Sequence, residues 1–246
     1  TPPESFHHIR YTTSGTLGVA PAWAPLLRAC GVAQVIAAGI SVTFNPVTSG
    51  HESVTMHFYV GATLYKLVGA RGTAKFSIGA QAIPYIEFEF TGLFAQPAEG
   101  VRPVPVLTAF QKPVLSTSVT TPVFTLGGTP LVMRTVTLDL ANAVETRFLI
   151  GAEGVLITGR KDAVEATVEA VPMTTFNPYA LAASQATLAV ALQHGTVAGQ
   201  RLALAIPAAQ MQRPSGLANA QNITEWPLRM VPLPVLGNDQ WTLTLT

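Results

Sequence analysis

The sequence predicts a mainly β protein with few helices. Residues 54–60 and 85–90 alternate in side-chain character with a period of two, and residues 241–245 repeat that pattern at the end of the chain. Helical spacing is limited to residues 21–30 and a segment around 177–186. Strands that alternate in this way have one buried face and one face toward water or a partner.

Further strands are expected where short apolar runs end at glycine, proline or asparagine turns. The predicted strands, in chain order, are residues 54–60, 64–68, 73–78, 85–90, 119–126, 131–140, 146–150, 154–158, 163–169, 187–192, 201–206 and 241–245.

The first helix is predicted from its ends as well as its spacing. Pro21 suits the first turn of a helix, and Gly31 suits its end. The apolar positions with i, i+3, i+4, i+7 spacing are Trp23, Leu26, Leu27 and Cys30.

A proline-rich stretch divides the chain into two parts of similar size. We predict a first β domain at 1–100, a linker at 101–118 and a second β domain at 119–246. A faint echo links the parts: a glycine-basic turn, a strand and an Ala-x-Pro turn occur at 69–84 and again at 158–172. The echo suggests that the second domain is a copy of the first.

Charge is unusually scarce in this chain. Only 11% of the 246 residues are charged, against about a quarter in average proteins, and the mean hydropathy is +0.37. The longest apolar stretch, residues 31–42, is too short to cross a bilayer. We therefore expect the protein to cover much of its surface with other protein, as a subunit of an assembly.

Several functional classes are disfavoured by the same composition. A net charge of +1 with no basic run argues against electrostatic reading of nucleic acid, and the single Cys30 excludes an internal disulfide. The five histidines lack metal-ligand spacing, and no nucleotide-binding glycine motif occurs. We expect no enzymatic activity, cofactor or metal.

Three segments of the first part resemble the major tail tube proteins of long-tailed bacteriophages. They are residues 14–31, with Ser-Gly-Thr-Leu-Gly before the helix, residues 64–73 and residues 83–94. Weaker similarity lies at 175–180 and 237–245. Related sequences carry further strands before the first segment, so the first domain is expected either to lack N-terminal strands or to be a short member.

The resemblance implies a tube-type β-sandwich or barrel with a flanking short helix. It also implies stacked rings, trimeric or hexameric, whose sheets join into a channel for DNA. The implied partners are copies of itself, the tape-measure protein and transiting DNA in the lumen, and the tail terminator and distal tail proteins, with no membrane. The implied location is the virion tail, after synthesis in the bacterial cytoplasm. The alternative function is a β-rich virion decoration or adhesion module.

Four glutamates are the candidate channel lining. Glu87 and Glu89 alternate with core residues in one predicted strand, and Glu165 and Glu169 do so in another. Carboxylates placed along one strand face form a row rather than a catalytic pair flanking a substrate. A channel that passes DNA must not hold phosphate, so an acidic or neutral lining is expected. The outer surface remains the alternative location.

Three cations are candidates for contacts between subunits. Arg71, Arg160 and Lys161 follow glycines at predicted turns. Ion pairs with a neighbouring subunit and solvated hairpin ends are equally compatible with this pattern, because exposed pairs contribute only ~0–1 kcal/mol.

Overall fold

The computed structural model describes residues 5–10 and 13–246, and it is built mainly from antiparallel strands. The described helices are α1 (Ala24–Arg28) and α2 (Pro178–Ser184). The described strands are β1 (Ser5–Arg10), β2 (Val32–Ala37), β3 (Ser41–Pro46), β4 (Val54–Val60), β5 (Thr63–Gly79), β6 (Tyr85–Phe94), β7 (Ala98–Glu99), β8 (Val123–Leu126), β9 (Thr129–Pro130), β10 (Met133–Asp139), β11 (Asn142–Leu149), β12 (Ala152–Arg160), β13 (Ala163–Glu169), β14 (Thr187–His194), β15 (Leu202–Met211), β16 (Ala218–Ala220), β17 (Ile223–Pro232) and β18 (Thr242–Leu245). The prediction of a mainly β protein is confirmed.

Most strands belong to one sheet of 16 strands. Its main path runs β1-β6-β5-β10-β13-β17-β15-β14-β8-β9, and β18 joins β15 to the β3–β2 hairpin. The strands β11 and β12 form a separate hairpin. The strand sequences favour a sheet because β-branched and aromatic side chains fit a pleated, half-buried surface.

The core lies between two parts of this sheet. Phe76 on β5 packs against Trp241, just before β18, with ring centroids 6.5 Å apart. An apolar cavity of about 30 Å³ between the two parts is lined by residues of β5 and β10 on one side and of β14, β15 and β18 on the other. One hydrophobic cluster therefore joins both parts of the chain.

The first helix is shorter than the predicted 21–30. The α-helical residues are Ala24–Arg28, and turns flank them on both sides. Pro25 occupies the first helical turn, where its missing N–H costs no hydrogen bond. Trp23 and Leu27 are fully buried, and Trp23 packs against Phe44 of β3 at 5.5 Å.

The second helix agrees closely with the predicted segment around 177–186. Asn177 caps α2, because its side-chain oxygen accepts a hydrogen bond from the Ala180 N–H at 3.0 Å. Gln185 ends the helix in the left-handed conformation at φ +56°.

Two predicted turn positions were wrong. Arg160, expected at a turn, is the last residue of strand β12. Residues 64–68 and 73–78, expected as two strands, form the single strand β5, so Arg71 lies inside a strand. Gly69 has a φ of +58°, and the pairing register with β6 shifts between Val68 and Arg71. A glycine β-bulge therefore replaces the turn, which explains why the sequence signal was ambiguous.

Other differences between the predicted and observed strands involve a strand start after a proline, strands that were not predicted and a proline inside a strand. The strand predicted at 119–126 begins only at Val123, after Pro122. The strands that were not predicted are β1, β2, β3, β7, β9, β16 and β17. Pro227 lies inside β17, but on one side of that strand β16 pairs with 223–225 and β15 with 230–232. Pro227 thus lies where no described strand adjoins on that side, a position that tolerates proline.

The division into domains at 1–100 and 119–246 stays a prediction. The strands of the two parts pair directly, since β5 pairs with β10 and β3 pairs with β18. The linker predicted at 101–118 contains no strand or helix.

The buried side chain of Leu27 gives a test of this packing. Replacing Leu27 with Asp places a carboxylate in a fully apolar site, so we expect the free energy of unfolding to fall by roughly 4 kcal/mol or more. Denaturant unfolding or the yield of folded protein measures the loss. Val197→Asp, at an exposed valine, is the matched control and should change little. Equal stability of the two variants would contradict the burial of α1.

Candidate functional site

The strand β6 separates its side chains onto two faces, as its period predicts. Ile86, Phe88 and Phe90 are fully buried in the core. Glu87 and Glu89 lie on the opposite face, where Glu89 is exposed and Glu87 is half-buried. The strand therefore presents its carboxylates away from the core.

The strand β13 repeats this separation. Val164, Ala166 and Val168 are buried, whereas Glu165 is exposed and Glu169 is half-buried on the other face. Glu165 and Glu169 therefore also point away from the core.

Strand registers place all four glutamates on the same face of one sheet. In one row Glu87 lies opposite Lys75, which lies opposite Asp139. In the next row Tyr85, Ser77, Thr137, Glu165 and Arg229 follow one another across five strands. We call this surface the polar face; its residues are Thr73, Lys75, Ser77, Tyr85, Glu87, Glu89, Thr135, Thr137, Asp139, Glu165, Thr167, Glu169 and Arg229.

Carboxylates outnumber cations on the polar face. Two of its cations, Lys75 and Arg229, each lie opposite a carboxylate in the strand register. The register also places Arg71 of β5 opposite Thr91 on this side of the sheet, and Arg10 of β1 opposite Tyr85. The Arg229 Nη1 lies 3.7 Å from Glu165 Oε1, and both side chains are more than half exposed. Such an exposed pair adds little to the free energy of unfolding, but the carboxylate of Glu165 partly neutralises the positive charge that Arg229 presents to solvent.

A stronger ion pair borders the polar face. The Arg134 Nε donates to both carboxylate oxygens of Glu225, at 2.7 and 2.9 Å. These hydrogen bonds lower the pKa of Glu225, whose side chain is almost fully buried. Because Glu225 lies opposite Glu169, Arg134 also reduces the repulsion between like charges on neighbouring strands.

Arg71 makes its hydrogen bonds within the chain. Its guanidinium donates to the carbonyl oxygens of His51 at 2.8 Å and Glu52 at 3.1 Å, and to that of Val155 on β12. These contacts tie the loop before β4 to the β11–β12 hairpin.

Arg160 ties the same hairpin to neighbouring segments. It donates to the carbonyl oxygens of Gly31 at 2.6 Å and Val47 at 3.4 Å, and its Nε donates to Asn142 Oδ1 at 3.1 Å. The Asn142 side-chain amide in turn donates to Cys30 O at 2.7 Å and Gly72 O at 2.9 Å. We call Arg71 and Arg160 the arginine clamp.

The third candidate cation has a different environment. Lys161 is exposed in the connection between β12 and β13. Any contact of Lys161 with another subunit therefore stays a prediction, as it does for the arginine clamp.

Asp162, which sequence reasoning missed, lies beside the clamp. Its Oδ1 is 3.7 Å from Arg160 Nε, and its side chain is almost completely buried. Burial raises the pKa of Asp162 to about 6, although Arg160 and Trp241 act in the opposite direction. Burial also lowers the pKa of Arg160, and Asp162 opposes that shift.

Lys75, Asp139 and Arg229, on the polar face, were also missed. They alternate with apolar residues, as the four glutamates do, so the same signal could have found them. No sequence pattern indicated the contacts of Asn142 and Asp162, because these contacts join segments that are distant in sequence.

The histidines do not build a ligand set in the described ranges. No group of three or more His, Cys, Asp or Glu side chains there could hold a metal ion. His194 is buried, and its Nδ1 lies 3.0 Å from the Thr121 hydroxyl.

Large aliphatic and aromatic side chains remain exposed at several places. At the tip of the β11–β12 hairpin, Phe148, Leu149 and Ile150 face solvent, and Ile150 is fully exposed. Val101, Val104, Val106 and Leu107 form a second exposed group in the linker. Exposed apolar groups of this extent are typical of interaction surfaces.

Comparisons with known proteins found no matching family model and no similar curated protein. Among the described residues, no helix combines the length and apolar character needed to span a membrane.

The environment of Asp162 predicts how stability depends on pH. Because its pKa is raised from 3.8 to about 6, Asp162 contributes most to stability below pH 3.8, and this contribution disappears as the pH rises through 6. The free energy of unfolding of Asp162→Asn, relative to that of the parent protein, should therefore rise by up to about 3 kcal/mol as the pH increases from 4 to 7.5. Urea unfolding at several pH values measures this difference.

The exposed Glu145 on β11 supplies the control. Glu145→Gln should show little of this pH dependence. A difference between Asp162→Asn and the parent protein that stays constant from pH 4 to pH 7.5 would contradict the raised pKa.

Proposed function

We propose that this chain is a structural subunit that assembles into stacked rings and forms the tail tube of a bacteriophage. In this proposal the subunit has the tube-type β-sandwich or barrel fold with a flanking short helix, and its polar face lines a channel for DNA. The resemblance at 14–31, 64–73 and 83–94 is the reason for proposing this family. The polar face is the reason for proposing the channel function.

The supporting observation is one face of a continuous sheet that spans both parts of the chain. Glu87 and Glu89 from the first part and Glu165 and Glu169 from the second lie on it together. DNA passing along such a surface would meet mainly carboxylates and hydroxyls, and the cations Lys75 and Arg229 have carboxylates opposite them. Because neutralised phosphates strengthen DNA binding, this lining would let DNA slide.

The exposed apolar groups support assembly with copies of the same chain. The protein combines only 11% charged residues with exposed aliphatic side chains at the hairpin tip and in the linker. Covering them in a ring or between rings removes this surface from water. Main-chain pairing of sheet edges would add specificity to these contacts.

Ring size depends on how many tube-type units each chain supplies. If both parts of the chain act as such units, a trimer presents six; if only one does, a hexamer is required. The partners in the virion tail would be the tape-measure protein, transiting DNA, the tail terminator and the distal tail proteins. Synthesis would take place in the cytoplasm of the bacterial host.

The candidate contacts between subunits are refined by the geometry. Arg71 and Arg160 already donate to carbonyl oxygens of their own chain, which supports an internal role for them in holding the hairpin, while their contact with a neighbouring subunit stays a prediction. Lys161, which is exposed, remains the candidate for a contact with a neighbouring subunit.

Electron microscopy of the purified protein at low and moderate salt tests the assembly. We expect rings or tubes that persist in moderate salt, because apolar contacts and main-chain pairing are not screened by ions. Dissociation in moderate salt would contradict this account of the contacts. A compact monomer with affinity for glycans would instead indicate a decoration or adhesion module.

A charge reversal tests the role of the polar face. In phage carrying Glu87→Lys with Glu89→Lys, we expect normal tubes but DNA ejection slowed by roughly tenfold, because the added cations hold phosphates. Ejection kinetics of purified particles measure the effect. The control is Glu145→Lys with Glu153→Lys on the β11–β12 hairpin, which adds the same charge elsewhere. Equal ejection rates in both double variants would contradict a channel-lining role.

A further inference from the structure

The strand β2 has one edge that pairs with no described strand, and Gly18 lies against the turn at its end, close to Ala37 and Gly39. Among the described strands it pairs only with β3. Val35 and Ile36 are 59% and 52% exposed, and residues 31–42 contain no charged side chain. Proteins usually protect an edge with charges, proline or a covering segment, because a bare apolar edge pairs with other strands.

The linker contains a segment suited to such an edge. Val101 and Val104 are 94% and 88% exposed, and Val106 and Leu107 are also largely exposed. Within the described part of the chain, no N–H of residues 101–107 donates to a backbone carbonyl. The segment therefore carries both unpaired main-chain groups and apolar side chains.

Two prolines limit how this segment can pair. In an extended strand, residues two apart direct their main-chain groups to the same edge. Pro103 and Pro105 thus remove two N–H donors from one edge, while residues 102, 104 and 106 keep theirs on the other. The segment can add to one strand, but it cannot serve as a template for a further strand.

The β2 edge and residues 101–107 do not cover each other within one molecule, because the apolar side chains of both are exposed. Gly100 is fixed beside the start of β5 by its N–H bond to Ala62 O at 2.9 Å, whereas Ala29, just before β2, accepts from Gly72 N at 3.2 Å. These two attachment points are separated along β5 by roughly 30 Å.

We propose that residues 101–107 of one copy pair as an added strand with the β2 edge of a second copy. The contact uses different surfaces on the two copies, so its repetition builds a closed ring or a filament rather than a two-fold dimer. Neither surface contributes charge near the contact except Arg102, which agrees with assembly that resists salt. This inference rests on the proposed self-assembly and identifies one of its interfaces.

Mixing two cysteine variants tests the contact. One population carries Val35→Cys and the other Val104→Cys; the native Cys30 is fully buried, so it does not react. After co-assembly and treatment with a flexible bismaleimide, we expect covalent dimers in the mixture, at least about fivefold above either population alone. Val35→Cys mixed with Val197→Cys, at an exposed valine outside both features, is the control.

Three outcomes would overturn the inference. Equal cross-linking with Val197→Cys would show random proximity. Cross-linking of Val35→Cys alone would show edge-to-edge pairing between two β2 strands. Intact tubes without cross-linking would show that another segment covers the edge, while the proposed function survives. If no ring or tube forms at all, the proposed function fails together with the inference.

A second measurement does not depend on cysteine geometry. Hydrogen exchange at the amides of Val104 and Val106 should slow at least about tenfold on assembly, because these amides lie on the edge that keeps its donors. Val35→Lys should reverse this protection, since a charged edge resists pairing, whereas Val197→Lys should leave it in place. Fast exchange in intact tubes would overturn the inference.

Discussion

The rest of the structure depends on burying one face of a single sheet built from both parts of the chain. Phe76 and Ile86 of the first part adjoin Leu138 and Val164 of the second across neighbouring strands. Because side chains alternate, burying this row fixes which residues lie on the opposite face. The polar face is thus a consequence of the core, and a register shift of one residue would exchange the two.

The arginine clamp connects this sheet to its projecting hairpin. Arg71 donates to the carbonyl oxygen of His51, Arg160 donates to that of Gly31, and Asn142 donates to those of Cys30 and Gly72. Buried carbonyls without donors are costly, so these side chains support irregular backbone near the core. These hydrogen bonds hold the base of the β11–β12 hairpin, while its apolar tip remains exposed.

Local patterns were sufficient for the fold class, for α2 and for the faces of β6 and β13, because these depend on periods of two or on capping residues. They failed at β5, where a bulge at Gly69 resembled a turn, and at β17, where Pro227 lies beside a gap in the sheet. The alignment of Glu87 with Lys75 and Asp139 could not be predicted, since it depends on pairing between strands distant in sequence. The contacts of Arg160 depend on tertiary packing in the same way.

The most direct test of the central claim is a density map of the assembled protein, viewed along the assembly axis, with side chains resolved. The account predicts a central channel lined by the polar face, with Glu87, Glu89, Glu165 and Glu169 directed into it and Phe88 and Val164 in the wall. The account would be contradicted if these glutamates lay on the outer wall, or if lysine and arginine lined the channel.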